Sequence, residues 1–201
     1  MAQQGQRIEN PVTGQTIVYR ATGEETDGAL FEAEGIFRPG GFAGALHVHP
    51  CQEERFVVTQ GTAGFTIGGE QVRVGPGKEI VIPAGRAHTF WNAGSEEMRV
   101  IFAFRPALAS TARFYEFYFG LAQAGHAKKD GLPSLWQIAL QAAEFADHVR
   151  LARPPWCLQR IIFALLRPIA HLLGYRCLVY AGPDASPRDT RRTPATRAPL
   201  P

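Results

Sequence analysis

The chain has 201 residues, of which 45% are hydrophobic, and its formal net charge at pH 7 is +3. This length and apolar content are enough for a sizeable core, either in one domain with appendages or in two small domains. The first 105 residues contain no basic stripe interleaved with aromatic residues, which argues against nucleic-acid binding.

The cysteines and the apolar segments indicate the compartment. Cys51, Cys157 and Cys177 form no C-x-x-C pair, and such a sparse, odd set favours a reducing environment over a disulfide framework. The N-terminus is polar and lacks the apolar segment of a secretory signal, and no run of about 18 apolar residues suggests a spanning helix. We therefore expect a cytoplasmic protein, with at most peripheral membrane contact.

The first half of the chain has the pattern of a β protein. Residues 1–14 are polar and are predicted to be an arm, and residues 15–106 contain short β segments separated by Gly and Pro. Gly68-Gly69 between two alternating runs indicates a two-residue hairpin. Many short strands at regular spacing are typical of an all-β sandwich or barrel. The predicted strands are 16–21, 29–37, 45–49, 55–60, 63–67, 71–74, 79–82, 88–92 and 98–104.

The second half has a different composition. Glycine and proline become less frequent after Pro106. Residues 107–180 are predicted to be an α-helical appendage with helices at 109–124, 134–150 and 156–173. Ser134 is a reasonable N-cap, and Pro168 should kink or interrupt the third helix. His126 and His148 are expected to face solvent. From residue 181 the chain is rich in Pro, Arg, Thr and Ala without periodicity, and it is predicted to be a disordered tail.

Four side chains have the pattern of a metal shell. His47 and His49 are two residues apart, which in a β-strand places both imidazoles on one face. An acidic pair, Glu53-Glu54, follows, and His88 supplies a third imidazole from a later strand. Such nitrogen and oxygen ligands suit one divalent transition metal ion, Fe, Mn, Ni, Zn or Cu.

The spacing around these residues resembles the two motifs of the cupin family. The first motif is matched by Gly41, His47, His49, Glu54 and Gly61, and the second by Gly77, Pro83, Gly85, His88 and Asn92. The resemblance covers residues 15–105 and is closest to small single-domain cupins of type 2. It implies a double-stranded β-helix, or jelly-roll, barrel with a metal held by His47, His49, Glu54 and His88. It also implies a homodimer.

The acidic ligand and the pocket can be assigned from strand alternation. Glu54 satisfies both halves of the first motif. Glu53, which three residues separate from His49, satisfies only the first half and is expected on the surface or behind the ligands. An inward Glu54 turns Phe56 and Val58 inward and Arg55 outward, which avoids burying an unpaired charge. The side chains expected to line an apolar pocket are Phe37, Phe56, Val58, Phe90, Asn92 and Phe102.

The leading functional hypothesis is a metal-dependent enzyme that acts on a small organic molecule with dioxygenase-like chemistry, because four protein ligands leave two positions open on a six-coordinate ion. Glu54 could also serve as a catalytic base. A redox-neutral isomerase or decarboxylase would use the same ligands. The remaining alternatives are a storage barrel and a non-catalytic sensor whose helices bind a partner or a membrane.

Two helical segments have alternative interpretations. The aromatic run at 114–119, FYEFYF, is either a lid over the barrel mouth, a dimer surface, or a helix packed on the outer sheet face. The segment 156–173 is apolar apart from Gln159, Arg160, Arg167 and His171. It either lies on an anionic membrane surface or packs on the barrel or on a partner subunit.

Overall fold

The computed structural model describes residues 2–41, 44–129, 131–176, 178–179 and 188–189. Within these ranges the strands are β1 (Arg7–Asn10), β2 (Gln15–Ala21), β3 (Phe31–Phe37), β4 (His47–Val48), β5 (Glu53–Gln60), β6 (Ala63–Ile67), β7 (Glu70–Val74), β8 (Glu79–Ile82), β9 (His88–Asn92), β10 (Met98–Arg105), β11 (Arg150–Leu151), β12 (Leu178–Val179) and β13 (Arg188–Asp189). The helices are α1 (Ala109–Gln123), α2 (Leu135–Glu144) and α3 (Trp156–Leu172).

Two antiparallel sheets make up the β half of the molecule. One contains six strands in the order β1-β2-β3-β10-β5-β8, and the other contains five in the order β11-β4-β9-β6-β7. The inward-facing side chains of both sheets form a single hydrophobic core rich in phenylalanine. The three helices follow the sheets, so the predicted mainly β fold with a C-terminal helical region is confirmed.

Strand alternation explains which side chains enter the core. In β5 the buried residues are Glu54, Phe56 and Val58, and the residues between them are more exposed. In β9 the buried residues are His88 and the two at even spacing after it, Phe90 and Asn92. Because side chains alternate across a strand, the carboxylate and the imidazole share the barrel interior with these aromatic rings.

The turns between the strands depend on glycine where the backbone adopts a left-handed conformation. Gly61 has φ +74°, and a Cβ atom placed there would lie 2.9 Å from the Glu97 carbonyl oxygen. A larger residue would therefore meet both strain and a clash at the end of β5.

The helical region differs in detail from the sequence prediction. Ser134 caps α2 as predicted, because its side chain accepts a hydrogen bond from the Gln137 amide. The helix ends at Glu144 rather than at residue 150, since Arg150–Leu151 forms β11 and pairs with β4. Of the kink or interruption predicted at Pro168, the interruption is wrong because α3 is continuous through this residue, and the kink stays a prediction.

The two ends of the chain are only partly described. The segment predicted as an arm contributes β1, an edge strand with Ile8 fully buried. The predicted disordered tail from residue 181 lies outside the described residues except for β13, which pairs with β12. Among the described residues, no helix has the length and apolarity needed to cross a membrane.

Asn92 should contribute strongly to stability, because its side chain joins the end of β3 to the turn between β9 and β10. Its Nδ2 donates to the carbonyl oxygens of Phe37, Arg38 and Glu96, and its Oδ1 accepts from the Gly94 amide. Asn92→Ala leaves buried backbone groups unpaired and should lower the free energy of unfolding by about 3 kcal/mol. Urea unfolding measures this, with the exposed amide variant Gln71→Ala as the control. Equal stability of both variants would contradict the structural role.

Candidate metal centre

Three strands bring the four predicted ligands together. β4 carries His47 and leads to His49, β5 carries Glu54, and β9 carries His88, which is the register partner of His47. One potential ligand atom of each residue lies within 4.8 Å of those of the others. Glu54 Oε2 is 2.7 Å from His88 Nε2 and 3.5 Å from His49 Nε2. The four side chains therefore converge on one point inside the barrel.

Each imidazole is oriented by a backbone carbonyl. His47 Nδ1 donates to Ala45 O at 2.8 Å, and His49 Nδ1 donates to His148 O at 2.6 Å. His88 Nδ1 donates to Arg86 O at 2.9 Å. Because a carbonyl only accepts, these bonds fix the proton on Nδ1 and leave Nε2 as the atom available to a metal.

The donor set fits a divalent metal ion. Among the described residues, the buried His49 Nε2 has no hydrogen-bond partner although it lies among three other ligand atoms. A buried, unpaired lone pair is costly unless a cation or a donor satisfies it. Three imidazole nitrogens and one carboxylate oxygen suit Fe, Mn, Ni, Zn or Cu, and the ligands alone do not select among these ions.

Burial controls the protonation of the cluster. Burial lowers the pKa of His47 to about 3, and it lowers the pKa of His49 well below its ordinary value. Burial also raises the pKa of Glu54, which the hydrogen bond to His88 only partly opposes. For His88, burial lowers the pKa but the hydrogen bond and the charge of Glu54 outweigh it, so the net pKa is raised. Glu54 and His88 therefore share a proton when no cation is bound.

The structure distinguishes the two adjacent acids. Glu54 is 3% exposed and faces the three imidazoles, whereas Glu53 is exposed. Arg55, next along β5, points out of the barrel and pairs with Glu79 on the surface. This is the arrangement expected if Glu54 and not Glu53 completes the ligand set.

His148 is part of the site, and its predicted exposure to solvent is wrong. Its ring is fully buried 4.8 Å from the His49 ring, because the turn after α2 folds onto the barrel to form β11. His148 Nδ1 donates to Gln52 Oε1 at 2.6 Å, and Gln52 Nε2 donates to Pro106 O and to Thr111 Oγ1. Nothing in the local sequence indicated this, because the partners are far apart in the chain.

A cavity of about 190 Å³ lies beside the ligands, between the barrel and the helices. His47, His49 and Glu54 contribute to its barrel side, and Phe114, Tyr115, Tyr118 and Phe119 of α1 contribute to its other side. The aromatic run therefore covers the barrel mouth. Most of the remaining wall is apolar and comes from residues 132–163, including Ile138, Phe145, Val149, Trp156 and Phe163.

The predicted pocket residues occupy different places. Phe90 lines the cavity. Phe37, Phe56, Val58 and Phe102 lie in the barrel core, where Phe56 and Phe90 are in ring contact at 4.6 Å. Asn92 is buried and fully engaged with backbone groups. The cavity wall is thus built largely from the helical region, which strand parity in the barrel could not predict.

Removal of a ligand should abolish metal binding, and the acidic pair offers a matched control. Glu54→Ala should lower the bound metal per chain at least about tenfold, whereas Glu53→Ala, one residue away and exposed, should leave it unchanged. Elemental analysis after metal loading and desalting measures this. Equal metal content in wild type, Glu54→Ala and His49→Ala would contradict a metal centre here.

Acid should destabilise the fold through His148. Burial lowers the pKa of His148 to about 3 in the folded state, from an ordinary value of 6.5. The unfolded chain therefore binds more protons below pH 6.5, so stability is complete above this pH and falls as the pH decreases towards 3. At about pH 5 this residue alone should cost about 2 kcal/mol relative to neutral pH.

Urea unfolding at about pH 7.5 and about pH 5 measures this dependence. His148→Gln should show a smaller loss of stability between the two pH values than wild type, by about 2 kcal/mol. His126→Gln, at an exposed histidine, is the control and should behave as wild type. If the two variants respond identically to pH, His148 is not the group responsible.

Comparison with known proteins identifies one domain family and two curated relatives. Residues 34–104 match the family model described as the cupin domain. A probable oxidoreductase, virH, from Hypocrea virens is 30% identical over 142 residues, which cover 65% of this chain and 64% of that protein. An uncharacterized protein from Streptomyces coelicolor is 40% identical over 56 residues, or 28% of this chain and 52% of that protein. The chain thus spans less than two thirds of the length of either relative.

Similar solved structures cover about half of the chain. KdgF from Halomonas sp. superimposes with a TM-score of 0.43 at 25% sequence identity, over 48% of this chain and 83% of that one. The family assignment rests on the sequence match and on the arrangement of the chain's own residues. Residues 34–104 match the cupin domain, both cupin motifs are complete, and their histidines and glutamate converge inside a two-sheet barrel. Residues 34–104 of the chain therefore form a type 2 cupin domain.

Proposed function

We propose that this protein is a metal-dependent enzyme, a dioxygenase-like oxidoreductase that acts on a small apolar organic molecule. The observation that carries the proposal is that three of the four ligands, His47, His49 and Glu54, lie in the wall of a largely apolar cavity. Its volume of about 190 Å³ is below the usual range of drug-sized sites, ~300–1,000 Å³, and suits a small substrate. A storage or structural metal site would need no such chamber.

The metal and the protein would divide the chemistry between them. A divalent ion held by His47, His49, Glu54 and His88 would supply Lewis acidity and, if redox-active, electrons for reaction with O₂. The phenylalanines and tyrosines of α1 would hold the substrate against the barrel and exclude water, which strengthens electrostatic interactions at the site.

Tyr115 is the residue best placed to interact with substrate oxygen. It lines the cavity, and burial, with a contribution from the charge of Glu54, raises its pKa well above the ordinary value. The phenol therefore stays protonated at neutral pH and can donate a hydrogen bond to a negatively charged oxygen. If Glu54 left the metal it could accept a proton from the substrate, because burial raises the pKa of its carboxyl.

Similarity to the Hypocrea virens protein supports an oxidoreductase, since that relative is described as a probable one. The alignment with it covers 65% of this chain, which is more than residues 1–106 can supply. The similarity therefore extends into the helical region, the part that completes the cavity.

A redox-neutral isomerase or decarboxylase is the second candidate. The observation that favours it is Glu54, a cavity-lining carboxyl whose pKa is raised by burial, because such a group can move a proton between two substrate atoms. A non-catalytic sensor with the same bound ligand is the third. The cytoplasmic location and the homodimer remain predictions.

Oxygen consumption separates the first two candidates. Metal-loaded protein should consume O₂ with at least one member of a panel of phenols and β-dicarbonyl compounds, and Glu54→Ala should not. Turnover of keto acids or keto sugars without O₂ uptake would favour the redox-neutral candidate. If metal is bound and both panels are unreactive but a compound binds, the sensor is favoured.

The hydroxyl of Tyr115 should matter for turnover and not for metal binding. Tyr115→Phe should lower kcat about tenfold or more while leaving the metal content and the KM for the substrate little changed. Tyr175→Phe is the matched control, since Tyr175 contacts Trp136 and is not among the residues that line the cavity. Steady-state kinetics with the identified substrate measures both. Equal kcat for the two variants would rule out a catalytic role for Tyr115.

A further inference from the structure

Helix α3 has an apolar outer face that the metal centre and the cavity do not use. We name it the α3 outer stripe: Leu158, Ile161, Leu165, Ile169 and Leu172. These side chains are between 44% and 87% exposed, and their spacing of three or four residues places them on one face of the helix. Contiguous exposed apolar side chains of this kind mark an interaction surface more often than isolated ones do.

The opposite face of α3 faces the protein. Gln159, Phe163 and Ala170 are buried, and Trp156, Gln159 and Phe163 line the cavity. Gln159 Nε2 also donates to the Leu151 and Pro154 carbonyl oxygens, which anchors the helix to the barrel side. The stripe therefore points away from the site, on a helix whose inner face is fixed.

The chain segment that contains α3 carries charged residues of one sign. From His148 to Arg176 the sequence contains five arginines and no aspartate or glutamate, so these arginines more than account for the net charge of +3. Arg160 and Arg167 lie two helical turns apart on the same side of α3, about 100° or more around the helix from the nearest stripe residue, and both are exposed. Neither forms an ion pair with a carboxylate within the described part of the chain.

We propose that the α3 outer stripe binds an anionic lipid surface, with α3 lying in the plane of the interface. The leucines and isoleucines would enter the boundary between headgroups and acyl chains, and the arginines would extend to the lipid phosphates and carboxylates. Helices that combine an apolar stripe with basic side chains associate with membranes in this way, and each basic residue near the surface strengthens binding. Binding would place the cavity next to a source of apolar small molecules.

Charge favours lipid over a second copy of the chain. If two stripes packed against each other, two α3 helices would be brought together that each carry two arginines and no acidic residue. Like charges at an interface oppose association, whereas anionic headgroups would neutralise the same arginines.

Vesicle cosedimentation of the full-length chain tests the proposal. We expect at least about tenfold stronger partition onto phosphatidylcholine vesicles containing about 30% phosphatidylserine than onto phosphatidylcholine alone, and weaker binding at high salt. Ile161→Gln/Leu165→Gln should reduce partition about tenfold or more. Arg160→Gln/Arg167→Gln should remove most of the preference for anionic vesicles, a change of up to about thirtyfold.

The matched control is Val72→Gln/Val81→Gln, which changes two exposed apolar residues on barrel strands outside the stripe and should bind as wild type. Circular dichroism and the melting temperature establish that each variant is folded. No partition of wild type onto anionic vesicles at low salt, or equal partition of wild type and the stripe variant, would overturn the proposal. So would a wild-type dimer that the stripe variant converts to monomer without any lipid binding, because a second copy would then occupy the stripe.

Discussion

The structure depends on how the two-residue strand β4 is held. On one side it pairs with β9, which carries His88, and on the other it pairs with β11 from the helical region. The carbonyl oxygen of His148, just before β11, accepts a hydrogen bond from His49 Nδ1–H. A strand this short has little stability of its own, so its position requires both neighbours. The helical region is therefore part of the metal centre and not an independent addition to the barrel.

Desolvation links this packing to chemistry. Closing the helices over the barrel mouth removes water from four ionisable side chains, and burial favours their neutral forms. Neutral imidazoles are the form in which histidine binds a metal. The single proton left between Glu54 and His88 occupies the place where the ligand atoms are closest. Burial thus leaves His47 and His49 in the form that binds a metal, whereas Glu54 must lose its proton to bind one.

The helices have a second consequence, which concerns the size and polarity of the cavity. Helix α1 divides its aromatic residues between two cores: Tyr115, Tyr118 and Phe119 pack towards the barrel, and Phe114 and Phe117 pack with Phe145 near the end of α2. Helix α3 divides its surface similarly, with an inner face towards the cavity and an outer stripe in solvent. A substrate chamber and an exposed apolar surface therefore share one helix, and a lipid at the stripe would lie close to the chamber.

The sequence by itself determined the barrel and its ligands. Motif spacing and strand parity identified His47, His49, Glu54 and His88 and selected Glu54 over Glu53, because alternation along a strand is a local property. Only the tertiary structure decided what covers the ligands. The burial of His148, its contact with Gln52, the end of α2 at Glu144 and the role of the helices in lining the cavity all depend on pairing between β4 and β11. These strands are about a hundred residues apart in the chain, and local periodicity carries no information about which distant segments meet.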